Sequence, residues 1–183
     1  MEKEIETRFL DIDKENLVNI LNMLGADDLG NEKLDEIIFY DEKLTWVGKE
    51  KFVRLRKTKG KIKLTYKHND KQTVDSAREI EVEVSDMDKC SELLQNIGLK
   101  IIRRLEKYRH SFKFGDVIVD IDTWPKIPVY AEIEGPTIES LEEVALHLGF
   151  DWEKRFDGNA RQVYSHYGYE MDKLPIITFK KFE

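Results

Sequence analysis

Apolar and polar residues alternate along most of this chain, and the alternation resolves into eight extended segments. They run from Glu4 to Leu10, Glu36 to Tyr40, Phe52 to Lys57, Lys61 to Lys67, Arg78 to Val84, Lys100 to Phe114, Val117 to Thr123 and Val129 to Glu134. Thr58-Lys59-Gly60 and Gly115-Asp116 are short enough for hairpin turns, so the strands they join are expected to be antiparallel. His68 to Ala77 is polar and carries no periodic apolar positions, as expected of a mobile loop able to act as a flap.

Three stretches change to the helical period, each with start and stop chemistry. Asp13 caps a face of Leu17, Ile20, Leu21 and Leu24 that Gly25 ends. Ser85 precedes Met87, Cys90, Leu93, Leu94 and Ile97, with Gly98 as the stop. Thr137 precedes Ile138, Leu141, Val144, Ala145 and Leu148, with Gly149 as the stop. Strand, helix and glycine thus recur three times, at spacings too uneven for a solenoid. From Asp151 onward the pattern is poor, and the expectation is an aromatic-rich extension covering one end of the sheet.

Sorting strand residues by parity separates two faces. One collects Glu4, Glu6, Arg8, Arg54, Arg56, Lys63, Lys67, Glu79, Glu81, Glu83, Lys107, Arg109, Asp120, Asp122, Glu132 and Glu134. The other is mostly apolar, from Ile5 and Phe9 through Val53, Leu55, Ile80 and Val82 to Ala131 and Ile133, and suits three amphipathic helices. A half-buried antiparallel sheet can simply show charge to water. Here, however, acidic and basic strands are segregated, and the threonine and serine common on a merely solvated face are scarce. Closing about eight strands into a barrel would turn the charges inward, where both signs must neutralise one another, a metal and a polyanionic ligand. Glu-Ile-Glu occurs at positions 4–6, 79–81 and 132–134, and each pair of glutamates projects to one side of its strand, as a hard divalent cation requires.

Composition narrows the partners. The chain has 183 residues, expected to form one domain, with 37 acidic against 30 basic and a net charge of −7, which argues against generic nucleic-acid binding. No segment approaches the run of about 18 apolar residues of a membrane helix, and the charged start MEKEIETR lacks a secretory apolar region. With one cysteine, Cys90, in an apolar helical pattern, the expected setting is the reducing cytoplasm. No zinc-ligand spacing exists, and the four histidines read as surface or packing residues. Trp46, Trp124 and Trp152 read as core or rim aromatics, and Trp124, at a strand end, is also a candidate for the mouth of the expected tunnel.

In order, spacing and common parity these motifs resemble the CYTH family, the triphosphate tunnel metalloenzymes, over nearly the whole chain. The opening Glu-x-Glu-x-Lys of that family resembles Glu4-Ile5-Glu6-Thr7-Arg8, with arginine where lysine is usual. Its paired arginines resemble Arg54 and Arg56, its next basic strand Lys67, and its acidic strand Glu79 and Glu81. Lys107-Tyr108-Arg109 is similar to its Lys-x-Arg pair, Asp122 to its aspartate and Glu132-Ile133-Glu134 to its closing Glu-x-Glu. No one of these motifs is specific; their combination is.

The resemblance implies an α+β fold with a closed eight-stranded antiparallel barrel and helices outside, in a single domain over residues 1–183 whose part 151–183 is an extension. It implies that Glu4, Glu6, Glu132 and Glu134 hold Mg2+ or Mn2+, with Glu81 and Asp122 as further ligands or as orienters of basic residues. It implies that Arg8, Arg54, Arg56, Lys67, Lys107 and Arg109 hold a triphosphate, and that Glu4, Glu6, Arg8 and Lys67 are catalytic. The expected activity is metal-dependent hydrolysis of inorganic, thiamine or nucleoside triphosphate. The alternatives are a class IV adenylyl cyclase, making cyclic AMP and pyrophosphate from ATP, and a non-catalytic polyphosphate-binding module.

Overall fold

The computed structural model of the protein describes residues 5–47, 49–69 and 77–183, and it is an α+β fold. Its strands are β1 (Ile5–Phe9), β2 (Asp27–Asp41), β3 (Glu50–Thr58), β4 (Lys61–Asn69), β5 (Ala77–Val84), β6 (Leu99–Phe114), β7 (Val117–Thr123), β8 (Tyr130–Gly135) and β9 (Ile176–Ile177). The helices are α1 (Lys14–Met23), α2 (Met87–Asn96), α3 (Ile138–His147) and α4 (Ala160–His166). Hydrogen-bonded neighbours follow the order β1-β8-β7-β6-β2-β3-β4-β5, and β9 adds to β6 in parallel. The chain folds as two compact units, Met1–Glu32 with Lys107–Asp172 and Lys33–Glu106 with Lys173–Glu183, and the long strands β2 and β6 contribute to both.

In the first unit, α1 and α3 cover the apolar parity of β1, β7 and β8. Leu17 and Leu21 meet Leu141, Val144, Ala145 and Leu148 over Phe9, Val119, Ile121, Ala131 and Ile133. Each such buried Leu, Ile, Val or Phe side chain contributes about 1.5–3 kcal/mol relative to exposure. The helix starts follow from local chemistry: Asp13 Oδ1 accepts the Asn16 N–H at 3.1 Å, and Thr137 forms a reciprocal capping box with Ser140. Gly149, which follows α3, has φ +78°, the left-handed turn that a side chain would oppose.

In the second unit, Ile37, Phe39, Val53, Leu55 and Ile62 form a core with Leu94 of α2. Asp86, one residue after the expected Ser85, caps α2 by accepting the Lys89 N–H at 2.9 Å. Ile80 and Val82 were expected beneath a helix, yet they are 63% and 50% exposed. They lie on β5, at the end of the strand order, whereas α2 packs on β3.

Three expectations need correction. First, β2 begins at Asp27 and not at Glu36, because sixteen-residue β6 offers backbone partners to a polar segment without apolar alternation. Second, of the expected His68 to Ala77 loop, His68 lies in β4 opposite Arg78 and Ala77 begins β5, while 70–76 fall outside the described residues. Third, hydrogen bonds do not close a barrel among the described strands, whose order ends at β1 and β5. At Arg8 the outer edge of β1 is already taken: its N–H donates to the Phe156 carbonyl at 3.1 Å and its carbonyl accepts the Phe156 N–H at 2.7 Å. The stretch from Asp151, unreadable by periodicity, contains a 3-10 turn at Trp152–Lys154, α4, another 3-10 turn at Met171–Lys173, and β9. Among the described residues no helix is long and apolar enough to cross a membrane.

Candidate functional site

Antiparallel register aligns a charged row across four strands of the first unit. Arg8 on β1 lies opposite Glu132 on β8, Glu132 opposite Asp120 on β7, and Asp120 opposite Ser111 on β6. Glu6 and Glu134 pair one step along the same face, and Asp122 pairs with Arg109. Opposite residues on one face of a sheet have Cβ atoms about 4.5–5.5 Å apart, close enough for these side chains to meet.

Their contacts form a dense ion network. Arg8 Nη2 donates to Glu6 at 2.9 Å and forms an ion pair with Glu132 at 2.5 Å, while its Nη1 donates to the Gly158 carbonyl at 2.6 Å. Arg109 grips Asp122 with Nε at 2.6 Å and Nη2 at 2.7 Å, reaches Glu132 at 3.0 Å and contacts Asp120 through Nη1. Lys107 Nζ donates to the fully buried Asp122 at 2.7 Å and lies 5.0 Å from the centre of the Trp124 ring. Ser111 donates to Asp120 at 2.5 Å.

Burial and charge pull these groups in opposite directions. For Asp122, burial opposes ionisation, but Lys107 and Arg109 outweigh it and hold the carboxyl far below the usual range. Glu132 follows the same logic under Arg109 and Arg8 and is also lowered. Asp120 is different: burial pushes its carboxyl up, and Arg109 with Ser111 only partly compensates. Arg8 is raised because Glu132 and Glu6 overcome the desolvation of its guanidinium.

The second unit, taken by itself, also carries a charged face. Arg56 Nε donates to Glu36 at 2.8 Å, Lys63 pairs with Glu81 at 2.6 Å and Lys67 with Glu79 at 3.4 Å. Arg54 lies opposite Thr65, itself opposite Glu81. Among the described residues its buried Nε has no hydrogen-bond partner, and burial followed by the neighbouring Arg56 disfavours its charge. A buried cationic donor without an acceptor is suited to an anion.

Glu6, Glu132 and Glu134 each offer a carboxylate oxygen within 4.8 Å of the others, which suits a hard divalent cation. Glu4 lies outside the described residues. Neither Asp122 nor Glu81 belongs to this cluster: Asp122 is enclosed by Lys107 and Arg109, and Glu81 is bound to Lys63 and Thr65. Trp124, read as a core or rim aromatic and a candidate for a tunnel mouth, is buried beside Tyr164. Sequence reasoning gave no role to Asp120, although it shares the charged parity, nor to Glu36, which binds Arg56. Ser111 and the Gly158 carbonyl leave no local signal.

The profile of the CYTH domain matches residues 2–150. The chain belongs to the CYTH family. That family includes triphosphatases and class IV adenylyl cyclases, and its enzymes depend on divalent metals. Among solved structures, a candidate adenylate cyclase of Vibrio parahaemolyticus superposes with TM-score 0.76 at 16% identity, covering 90% of this chain and 98% of that one. A protein of Pyrococcus horikoshii OT3 gives TM-score 0.69 at 25% identity, over 86% and 96%. A candidate adenylyl cyclase of Hippeastrum, described as having a dominant triphosphatase activity, gives TM-score 0.59 at 17% identity, over 92% and 96%. No curated protein matches the sequence.

Proposed function

We propose that this protein hydrolyses a triphosphate in a reaction that depends on Mg2+ or Mn2+. The observation that carries this reading is the cluster of Glu6, Glu132 and Glu134 beside the guanidinium of Arg8. These three carboxylates, with Glu4, would hold the cation, which when bound neutralises phosphate charge and polarises phosphorus–oxygen bonds. The free thiol Cys90 fits a reducing, cytoplasmic setting for this activity.

The chain's own residues then have distinct tasks. Arg54, Arg56 and Lys67 hold phosphate oxygens, and the guanidinium forks match them bidentately. Lys107 and Arg109, already bound to Asp122, act mainly by maintaining positive charge, and Arg109 also fixes Glu132. Glu6 is better suited than Glu132 to accept a proton from attacking water, because its side chain is 48% exposed whereas that of Glu132 is 9% exposed and locked between Arg8 and Arg109. The water oxygen bonds to the terminal phosphorus as the bond to the bridging oxygen breaks. The electron pair leaves with diphosphate, and the proton passes through Glu6 to the phosphate products.

The test is product analysis with tripolyphosphate, thiamine triphosphate and ATP in separate reactions, each with Mg2+, Mn2+ or a chelator. Metal-dependent orthophosphate release is the expected result. Cyclic AMP with pyrophosphate from ATP would replace hydrolysis by cyclisation, and tight binding without turnover would indicate a binding module.

A further inference from the structure

We infer that the segment following the family domain is a positioning element of the metal site: the Gly158 carbonyl fixes the Arg8 guanidinium and, through it, Glu6 and Glu132. This rests on the reading of Glu6, Glu132 and Glu134 as the cation-holding set. The family match ends at residue 150, and the segment concerned is 156–158.

Four hydrogen bonds seat that segment on β1. Two are the reciprocal backbone pair of Arg8 and Phe156, at 3.1 and 2.7 Å. Thr7 Oγ1 donates to Asp157 Oδ1 at 2.6 Å, and Arg8 Nη1 donates to the Gly158 carbonyl at 2.6 Å. The last bond matters for the site because a guanidinium is rigid and planar. Holding Nη1 on a backbone oxygen fixes where Nη2 lies, and Nη2 is the atom bonded to Glu6 and Glu132. Arg8 Nε has no partner among the described residues, so the two terminal nitrogens alone set the orientation of the fork. A lysine at position 8 would offer a single ammonium and could not span the carbonyl and both carboxylates in one plane.

The carbonyl is held in place from its other side. Asn159 and Gln162 form a reciprocal cap on α4, at 2.9 and 3.1 Å, directly after Gly158. Val163 and Tyr164 of α4 are fully buried, and Tyr164 donates to the Pro125 carbonyl at 2.8 Å. Position 158 has no room for a side chain: a Cβ there would meet the Phe156 ring at 2.4 Å and the Gln162 Cβ at 2.9 Å. Glycine is therefore the residue that lets this carbonyl approach Arg8.

The experiment compares the whole chain with Gly158→Ala, Arg8→Lys, the double variant and Thr7→Val. The readouts are Mn2+ binding by electron paramagnetic resonance without substrate, kcat and KM for tripolyphosphate, and thermal midpoint. Loss of partners that orient a metal ligand typically weakens affinity by about 10–100-fold. Gly158→Ala is expected to weaken Mn2+ binding by about tenfold and lower kcat more than it raises KM. In the Arg8→Lys background the same change should add less than about twofold, because the linkage is already broken. Thr7→Val introduces no clash and should reduce Mn2+ affinity several-fold with the fold retained, so it decides the matter if Gly158→Ala does not fold. Mn2+ affinity unchanged in Gly158→Ala or, where that variant does not fold, in Thr7→Val overturns the inference. So do effects of Gly158→Ala and Arg8→Lys that multiply fully. Absence of Mn2+ binding by the unaltered protein removes the metal reading itself, and this inference with it.

Discussion

Replacing Asp122 by asparagine removes a carboxylate that two buried cations share. Asp122 is completely buried and accepts from Lys107 at 2.7 Å and from Arg109 at 2.6 and 2.7 Å. Deleting one member of a buried ion pair typically costs about 3–5 kcal/mol, because the remaining charge stays desolvated. Arg109 keeps Asp120 and Glu132, and Lys107 keeps its place against the Trp124 ring, which moves the expectation to the lower end, about 3 kcal/mol. At roughly 2–4 °C per kcal/mol for a chain of this length, the thermal midpoint should fall by about 6–12 °C. The assay is thermal unfolding of both proteins between pH 3 and pH 8. Asp122 titrates far lower when folded than its ordinary value of about 3.9, so its stabilisation is complete above that value and fades as pH falls below it. The gap between the two proteins should be constant from about pH 8 to pH 5 and narrow below about pH 4. A variant within about 2 °C of the parent at pH 7, or a gap that widens in acid, would refute this reasoning.

Other outcomes follow from the same geometry. Glu6→Gln and Glu134→Gln should each weaken Mn2+ binding by at least about tenfold, read by calorimetry. Glu6→Gln should leave the thermal midpoint nearly unchanged, since that side chain is half exposed. Arg54→Met should raise KM for tripolyphosphate about tenfold or more while leaving thermal stability equal or higher, because burial already opposes that charge. Val82→Thr should change neither melting nor turnover beyond error, since Val82 is 50% exposed.

Much of the geometry of the candidate site was legible because β-strands have a period of two. Once Glu6, Arg8, Asp120, Asp122, Glu132 and Glu134 shared a parity, antiparallel pairing could bring them together, and β1, β8 and β7 do so. The capped helices α1 and α3 were equally plain, since Asp13 and Thr137 act within three residues of themselves. Partner choice was not legible. Sequence shows that Arg109 is cationic, but only register shows that its donors are spent on Asp120, Asp122 and Glu132. The contacts of Thr7 and Arg8 with Asp157 and Gly158 span 150 positions and leave no trace in local periodicity. Ile80 and Val82 mislead for a related reason: alternation marks one face of a strand, and whether a helix covers that face depends on where the strand falls in the sheet.

The most direct measurement of the central claim is phosphorus NMR of tripolyphosphate turnover by the unaltered protein in isotopically labelled water, with Mg2+ or with a chelator. Hydrolysis at the terminal phosphorus predicts orthophosphate carrying one label, unlabelled diphosphate, and no reaction with the chelator. Failure to consume tripolyphosphate, thiamine triphosphate and ATP alike in the presence of both Mg2+ and Mn2+, or equal turnover after the metal is removed, would contradict it.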